Sequence, residues 1–262
     1  MRIATWNVNS IKQRLEHLAT FVRSAEPDVL CLQELKCMDE AFPRAEVEGL
    51  GYNVVTHGQK AYNGVAILSK KPLEEIRRGL PGDETDEQAR YLEGVVSTDD
   101  GRVLRVASIY LPNGNPIGTP KFDYKLSWFD RLTRHAEGLL TLEEPLVLCG
   151  DYNVIPEPKD AANPDGWTGD ALFQPESRAK LRTLTSLGLT DAVRACSDGE
   201  GLYTFWDYQA GAFQRNNGIR IDHLLLSPQA ADRLRTASIR KEVRGWDKPS
   251  DHVPVMVDLD ID

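Results

Sequence analysis

The chain has 262 residues, 41% hydrophobic and 27% charged, a composition that suits a soluble globular protein able to bury a sizeable core. Lys plus Arg is 31 and Asp plus Glu is 40, so the net charge is −9, which taken alone argues against a nucleic-acid partner. Locally the balance differs, because Arg233, Arg235, Arg240, Lys241, Arg244 and Lys248 crowd one late segment. No apolar run approaches a membrane span, and Cys31, Cys37, Cys149 and Cys196 show neither zinc spacing nor a secreted disulfide pattern. The opening Met1-Arg2-Ile3-Ala4-Thr5-Trp6 meets polar Asn7 too soon for a signal-peptide core, so cytoplasmic residence is the default expectation.

Residues 2–8 alternate and are rich in strand formers, predicting an opening strand with Asn7 and Asn9 at its polar tip. Ser10 is placed to cap a helix over 11–25, where Ile11, Leu15, Leu18, Ala19 and Val22 fall at helical spacing, until Pro27 and Asp28 break it. Residues 29–32 form a buried strand that delivers Gln33 and Glu34. Short strands follow at 51–55 and 64–69, in the grammar of an antiparallel sheet. An acidic exposed loop covers 81–88, and Arg90 just beyond it could reach a phosphate. Strands at 91–97 and 102–111 flank Asp99-Asp100-Gly101, a hairpin-turn signal, and the second ends in Tyr110, Pro112, Asn113 and Gly114. An amphipathic helix over 121–142 leads through Pro145 into Leu146-Val147-Leu148-Cys149-Gly150-Asp151-Tyr152-Asn153, an apolar strand with a polar end. Residues 156–176, containing Trp167, make a long Pro, Gly and Asp-rich loop, usually a functional or mobile feature. A helix over 178–187, an aromatic strand over 202–208, a strand over 219–226, a short helix over 228–234 and a last strand over 253–261 complete the pattern. No compositional boundary splits the chain, so residues 1–262 read as a single domain.

The stretch around Asp151 carries the chemistry. Side chains two apart on a strand point the same way, so Asp151 and Asn153 would bring a carboxylate and an amide into one small volume. That pair can accept a proton, hold a water and ligate a hard cation such as magnesium or manganese. Alone, Gly150-Asp151-Tyr152-Asn153 reads more readily as a turn after a core strand. Asn7, Glu34, Tyr110 and Asp222 also mark apolar segments, however, and Asp251-His252 stands just before another. Strand ends gathered at one sheet edge are where α/β folds place their sites. With no Ser or Cys beside a base, the set points to metal-assisted hydrolysis of a phosphate ester.

Val29 to Glu34 with Lys36, then Gly150-Asp151-Tyr152-Asn153, Ile221-Asp222 and Ser250-Asp251-His252, occur in the order seen in the exonuclease III family of abasic-site endonucleases, which the chain resembles from Met1 to its last strand. The likeness includes Gly51-Tyr52-Asn53, Gly64-Val65-Ala66, Phe205-Trp206-Asp207-Tyr208 and Lys248-Pro249. It implies an α/β fold, a four-layered sandwich of two mixed β-sheets packed face to face with helices on the outer faces. It implies a monomeric DNA repair nuclease that cuts 5′ to an abasic site in double-stranded DNA, with 3′–5′ exonuclease and 3′-end phosphodiesterase or phosphatase activity, using Mg2+ or Mn2+. Asn7, Glu34, Asp151, Asn153 and Asp251 would form or border the metal shell. Asp151 and Asn153 would prepare the attacking water, Tyr110 and His252 would bond the phosphate, and Asp222 would orient His252 and favour its charged form. Phe205, Trp206, Ile219 and Ile221 would line a slot for a baseless sugar, although some members carry tryptophan where this chain has Ile219. Two alternatives stand beside it. A catalytically silent member binding RNA or protein should have lost a metal or histidine position. A lipid or inositol phosphatase should carry an apolar membrane-facing loop or a basic pocket.

Overall fold

The computed structural model describes residues 1–99 and 101–261. One six-stranded sheet contains β1 (Arg2–Asn7), β2 (Val29–Gln33), β3 (Asn53–His57), β4 (Val65–Ser69), β11 (Leu234–Ile239) and β12 (Val255–Leu259), in the order β11-β12-β1-β2-β4-β3. The other contains β5 (Leu73–Arg78), β6 (Tyr91–Ser97), β7 (Val103–Tyr110), β8 (Leu146–Asp151), β9 (Thr190–Asp191) and β10 (Asp222–Leu226), in the order β5-β6-β7-β8-β10-β9. Both sheets are mixed. β1 with β2 and β7 with β8 are parallel, and their crossovers are supplied by α1 (Leu15–Ala25) and α3 (Pro120–Leu140); the remaining pairs are antiparallel.

The two-residue period of a strand explains the layering. Ile3, Val29, Cys31, Val65 and Ile67 point inward and meet Leu104, Val106, Val147, Cys149 and Leu224 of the facing sheet. Ala4, Trp6, Leu30 and Leu32 point outward beneath Leu18, Phe21 and Val22 of α1. On the opposite outer face, Ala107, Ile109 and Leu148 lie under Trp128, Phe129 and Leu132 of α3 and under Leu181 and Leu184 of α4 (Pro175–Thr185). The result is the expected sandwich of two sheets between helices. Phe129 is wholly buried, and Phe129→Ala would cost about 3–5 kcal/mol through lost transfer energy and the cavity left behind.

Several expectations need correction. Ser10 caps nothing: it sits at φ +89 and donates its N–H to the Glu34 carbonyl, while Ile11 donates to Leu35, so the helix starts only at Leu15. The aromatic stretch 202–208 is not a strand; Phe205 alone makes isolated bridges, to Ile219 and His252. Its aromatic rings serve different clusters, Tyr203 and Trp206 packing into the α1-side core while Phe205 joins Ile219 and Ile221, so no continuous partner strand lies alongside. The loop 81–88 is not wholly exposed, because Asp86 is buried against Arg131 at 2.7 Å. Sequence reading passed over β5, β11, α2 (Arg44–Glu48), α5 (Ala192–Cys196) and β9, and it ran the short helix α6 (Pro228–Ala231) on to Leu234. Of the expected hairpin turn, Asp100 lies outside the described residues. Among the described residues no helix is long and apolar enough to cross a membrane.

Candidate active site

At one edge of the sandwich the inward-facing rows turn polar. Beyond Ile3 and Thr5 on β1 the next inward residue is Asn7, beyond Val29 and Cys31 on β2 it is Gln33, and beyond Val147 and Cys149 on β8 it is Asp151. β7 ends the same way in Ser108 and Tyr110, while β10 runs in the opposite direction and opens on Asp222. Register locks these ends side by side, pairing Asn7 with Gln33, Tyr110 with Asp151, and Asp151 with Asp222. Underneath, Gln33 Nε2 donates to Thr5 Oγ1 and to Ser108 Oγ, both at 3.0 Å, tying one sheet to the other. Gly150 is obligatory here: its φ is +151, and a Cβ would fall 1.9 Å from the Ile109 carbonyl oxygen.

Ligand atoms of Glu34, Asp151 and His252 lie within 4.8 Å of one another. Asn7 Nδ2 bridges the two carboxylates, donating to Glu34 Oε1 at 2.9 Å and to Asp151 Oδ2 at 3.0 Å. His252 Nε2 is 3.7 Å from Asp151 Oδ2, and its Nδ1 faces Asp222 Oδ2 at 2.9 Å. Asp222 is itself fixed by Thr204 Oγ1 at 2.6 Å. Asn153 reaches the site through a turn and not by strand alternation. The strand stops at Asp151, Asn153 takes φ +47, and its N–H donates to Asp151 Oδ1 at 2.9 Å. Its Nδ2 donates to the Leu111 carbonyl at 2.8 Å, and its Oδ1 accepts from Asn113. Asp251 stands apart from the Glu34, Asp151 and His252 group, accepting from Asn9 Nδ2 at 3.0 Å. Asn9 in turn accepts from Lys36, whose ammonium lies 2.9 Å from Glu34 Oε2.

The electrostatics divide these groups by role. Burial alone would raise the Glu34 carboxyl, but the Asn7 hydrogen bond and the Lys36 charge outweigh it and hold that carboxyl low. Asp151 is pushed up to about 7, by burial and then by Asp222 and Glu34, against the opposing pull of His252. Burial disfavours a charged His252, yet Asp222 and Asp151 override it and raise the imidazole to about 10. The phenol of Tyr110 is driven up by burial and by Glu34 and Asp151, so it stays a hydrogen-bond donor. Arg90 lies over its ring at 4.9 Å.

Phe205, Ile219 and Ile221 come together as expected, with Ile155, Ala161 and Leu172, and the Phe205 ring meets the His252 ring at a centroid distance of 5.0 Å. Trp206 is not brought to them. It is fully buried on the other side, against Tyr203 and Phe213. The late basic segment is not one free patch either: Arg235 pairs with Asp260, Arg240 with Glu242, and Arg244 stacks over Tyr208.

Sequence reasoning assigned no site role to Thr204, Asn9, Asn113 or Lys125. Lys125 Nζ, wholly buried, donates to the carbonyls of Asn113 at 2.9 Å and Asn153 at 2.6 Å, and burial pulls its pKa down to about 7. A signal for it existed, since Lys125 falls between Phe122 and Phe129 on the apolar stripe of its helix.

Residues 4–252 match the model of the Endonuclease/Exonuclease/phosphatase family. Exodeoxyribonuclease III of Haemophilus influenzae is 35% identical over 99% of this chain and 100% of its own length. The 3′ phosphatase NExo from Neisseria, solved bound to a product DNA hairpin, superimposes with a TM-score of 0.95 at 38% identity, covering 99% of both chains. An AP endonuclease from Archaeoglobus fulgidus gives a TM-score of 0.94 at 36% identity, also covering 99% of both. The chain is therefore a member of the endonuclease/exonuclease/phosphatase family, in its exonuclease III branch.

Proposed function

We propose that the protein is a monomeric DNA-repair nuclease that hydrolyses the phosphodiester 5′ to an abasic site in double-stranded DNA and clears 3′ ends, with a divalent cation as cofactor. The observation that carries this reading is the convergence of Glu34, Asp151 and His252 on one edge, with Asp222 behind the imidazole. The donor set fits a hard cation: Glu34 is held ionised, Asp151 brings a second carboxylate within 4.8 Å of it, and the Asn7 amide donates to both, while Asp251 lies further along the rim on Asn9. Magnesium or manganese suits such oxygens, and when bound it would offset charge on the scissile phosphate.

The protein's own groups do the rest. With Nδ1 turned to Asp222 and Nε2 facing the Asp151 side of the rim, His252 is placed to donate to a non-bridging phosphate oxygen, and Asp222 and Asp151 favour its charged form. Asp151, at the end of β8 beside Asn153 and His252, is placed to take a proton from the attacking water. Asn153, fixed by Leu111 and Lys125, positions that water, and Tyr110 gives the phosphate a second hydrogen bond. Phe205, half-buried against the His252 ring and backed by the buried Ile219 and Ile221, offers an apolar surface that suits a sugar lacking its base.

A duplex carrying one abasic site, and a second ending in a 3′ phosphate, test the reading. Cleavage in magnesium or manganese and its abolition by excess chelator are expected. Full activity in chelator would remove the cation from the mechanism, and inertness toward both substrates would overturn the function.

A further inference from the structure

Trp167 has no part in the chemistry above. It ends a 3-10 turn, Pro164–Trp167, inside the long loop between β8 and α4, and that loop is held toward the site by Asn115, which donates to Asp170 and accepts from the Ala171 N–H. Behind it lies a cavity of about 300 Å³. Phe205 and Ile219 form one wall, Trp167 stands among the lining residues, and Asn163, Asn217 and Gln209 bring side-chain amides. The charged lining is one Arg215 and one Asp207, so the cavity has no net charge to favour a phosphate.

Resting on the nuclease reading, we infer that this cavity is a subsite for an unpaired nucleobase, the base of the 3′-terminal nucleotide when that nucleotide is excised. Three observations converge on this ligand. The volume lies at the low end of the roughly 300–1,000 Å³ typical of ligand pockets, enough for one ring system and too small for a strand. Indole and phenyl walls suit a flat heteroaromatic ring, and amides that can both donate and accept meet base edges without choosing among them. Position is the third. Phe205 and Ile219 exchange two backbone hydrogen bonds at 3.0 Å, and Phe205 also bridges to His252, so a single residue separates the cavity from the phosphate-binding imidazole. A nucleotide just beyond the scissile phosphate is thus within one residue's reach of it. In excision, water adds to phosphorus, the bond to the upstream 3′ oxygen breaks, that oxygen takes a proton, and the released mononucleotide carries the base. A terminal 3′ phosphate has no such base to place.

The test compares Trp167→Ala and Trp167→Phe with the wild type in full-length protein and magnesium, under single-turnover conditions. One duplex ends in an ordinary unpaired 3′ nucleotide, the other in a 3′ phosphate. Trp167→Ala is expected to slow nucleotide excision on the order of tenfold, with Trp167→Phe recovering most of it, since one base–aromatic stack is lost and then largely restored. Removal of the 3′ phosphate should stay within about twofold of wild type in both variants, because that substrate leaves the cavity empty. An equal fall on both substrates, or no fall on either, overturns the subsite while leaving the nuclease reading intact. A wild type inert on both duplexes and on an abasic duplex overturns the nuclease reading, and the subsite with it.

Discussion

Two buried imidazoles, His252 and His223, sit on either side of β10 and have opposite charge states. Asp222 turns inward toward His252, while the next residue on the strand, His223, turns outward to Arg220. Burial lowers His223, Arg220 lowers it further, and it stays neutral; its Nε2 donates to the Val154 carbonyl and its Nδ1 accepts from Arg220 at 3.1 Å. His252 feels the same desolvation but faces Asp222 and Asp151 with no arginine among them, so it is charged. The outward network balances itself. Arg220 meets Asp160 at 2.7 Å and Asp191 at 2.6 Å, and both carboxyls end up below their ordinary values despite burial. The inward network does not, and Asp151 is left raised. Similar residue types thus make a closed structural cluster on one face of a strand and, on the other, a site short of positive charge.

That contrast can be broken in four places. The largest effect should come from the closed side. Arg220→Met removes the cation shared by Asp160 and Asp191, leaving Asp160 to Arg194 and Asp191 to backbone donors, and should cost about 3–5 kcal/mol of folding stability, measured by denaturant unfolding. Because Asp160 and Asp191 are depressed in the folded protein, their contribution is present at neutral pH and is lost as pH falls through their folded values. The deficit of Arg220→Met should therefore be widest near pH 7 and shrink toward acid. A variant of unchanged stability that no longer cleaves would make this network catalytic and end the distinction.

On the open side, His252→Asn removes one donor to a phosphate where charge develops, and should cost about 3–4 kcal/mol, or roughly 100- to 1,000-fold in single-turnover rate. Its melting temperature should change far less than that of Arg220→Met. Asp222→Asn should lose less rate and shift the pH profile. Removing its charge takes away the main influence raising His252, the imidazolium is then lost at lower pH, and the alkaline limb of activity should move down. The double variant should be little slower than His252→Asn, whereas multiplicative losses would uncouple the pair. The smallest effect is assigned to Glu34→Gln, which keeps volume and removes one charge. It should raise the magnesium concentration for half-maximal cleavage on the order of tenfold while nearly the full rate returns at saturation. Calorimetric manganese binding equal to wild type would show that Glu34 is not the ligand.

The candidate site was largely legible in the chain because strand ends announce themselves. Apolar stretches that give way to Asn7, to Gln33 and Glu34, and to Asp151 leave polar side chains at an edge, and the register then sets Asn7 beside Gln33 and Asp151 beside Tyr110 and Asp222. Resemblance supplied the face-to-face packing, which alternation alone does not contain. What could not be read depended on long-range packing. The residues 202–208 have strand propensity, but Tyr203 and Trp206 are claimed by the α1-side core and Phe205 by the site, so packing overrode propensity and placed Trp206 out of the slot. β5 and β11 carry mixed, half-exposed residues at sheet edges and lack the apolar runs that mark the central strands. Ser10 has the right residue type for a cap, but hydrogen bonds to the segment after Glu34 hold its backbone out of helical range.

The pairing of β1 with β12 brings residues near the start of the chain beside residues some 250 positions later, and Trp6 Nε1 donates to the carbonyl of His252 across that gap. During synthesis the ribosome exposes Glu34 and Asp151 long before Asp222 and His252 emerge. Until then β1 lacks its β12 neighbour, and the imidazole that pairs with Asp222 does not yet exist. Under the mechanism proposed above, a chain ending before His252 would lack its donor to the phosphate, whatever cation it meets. On this reading, cleavage is tied to synthesis of the chain through His252.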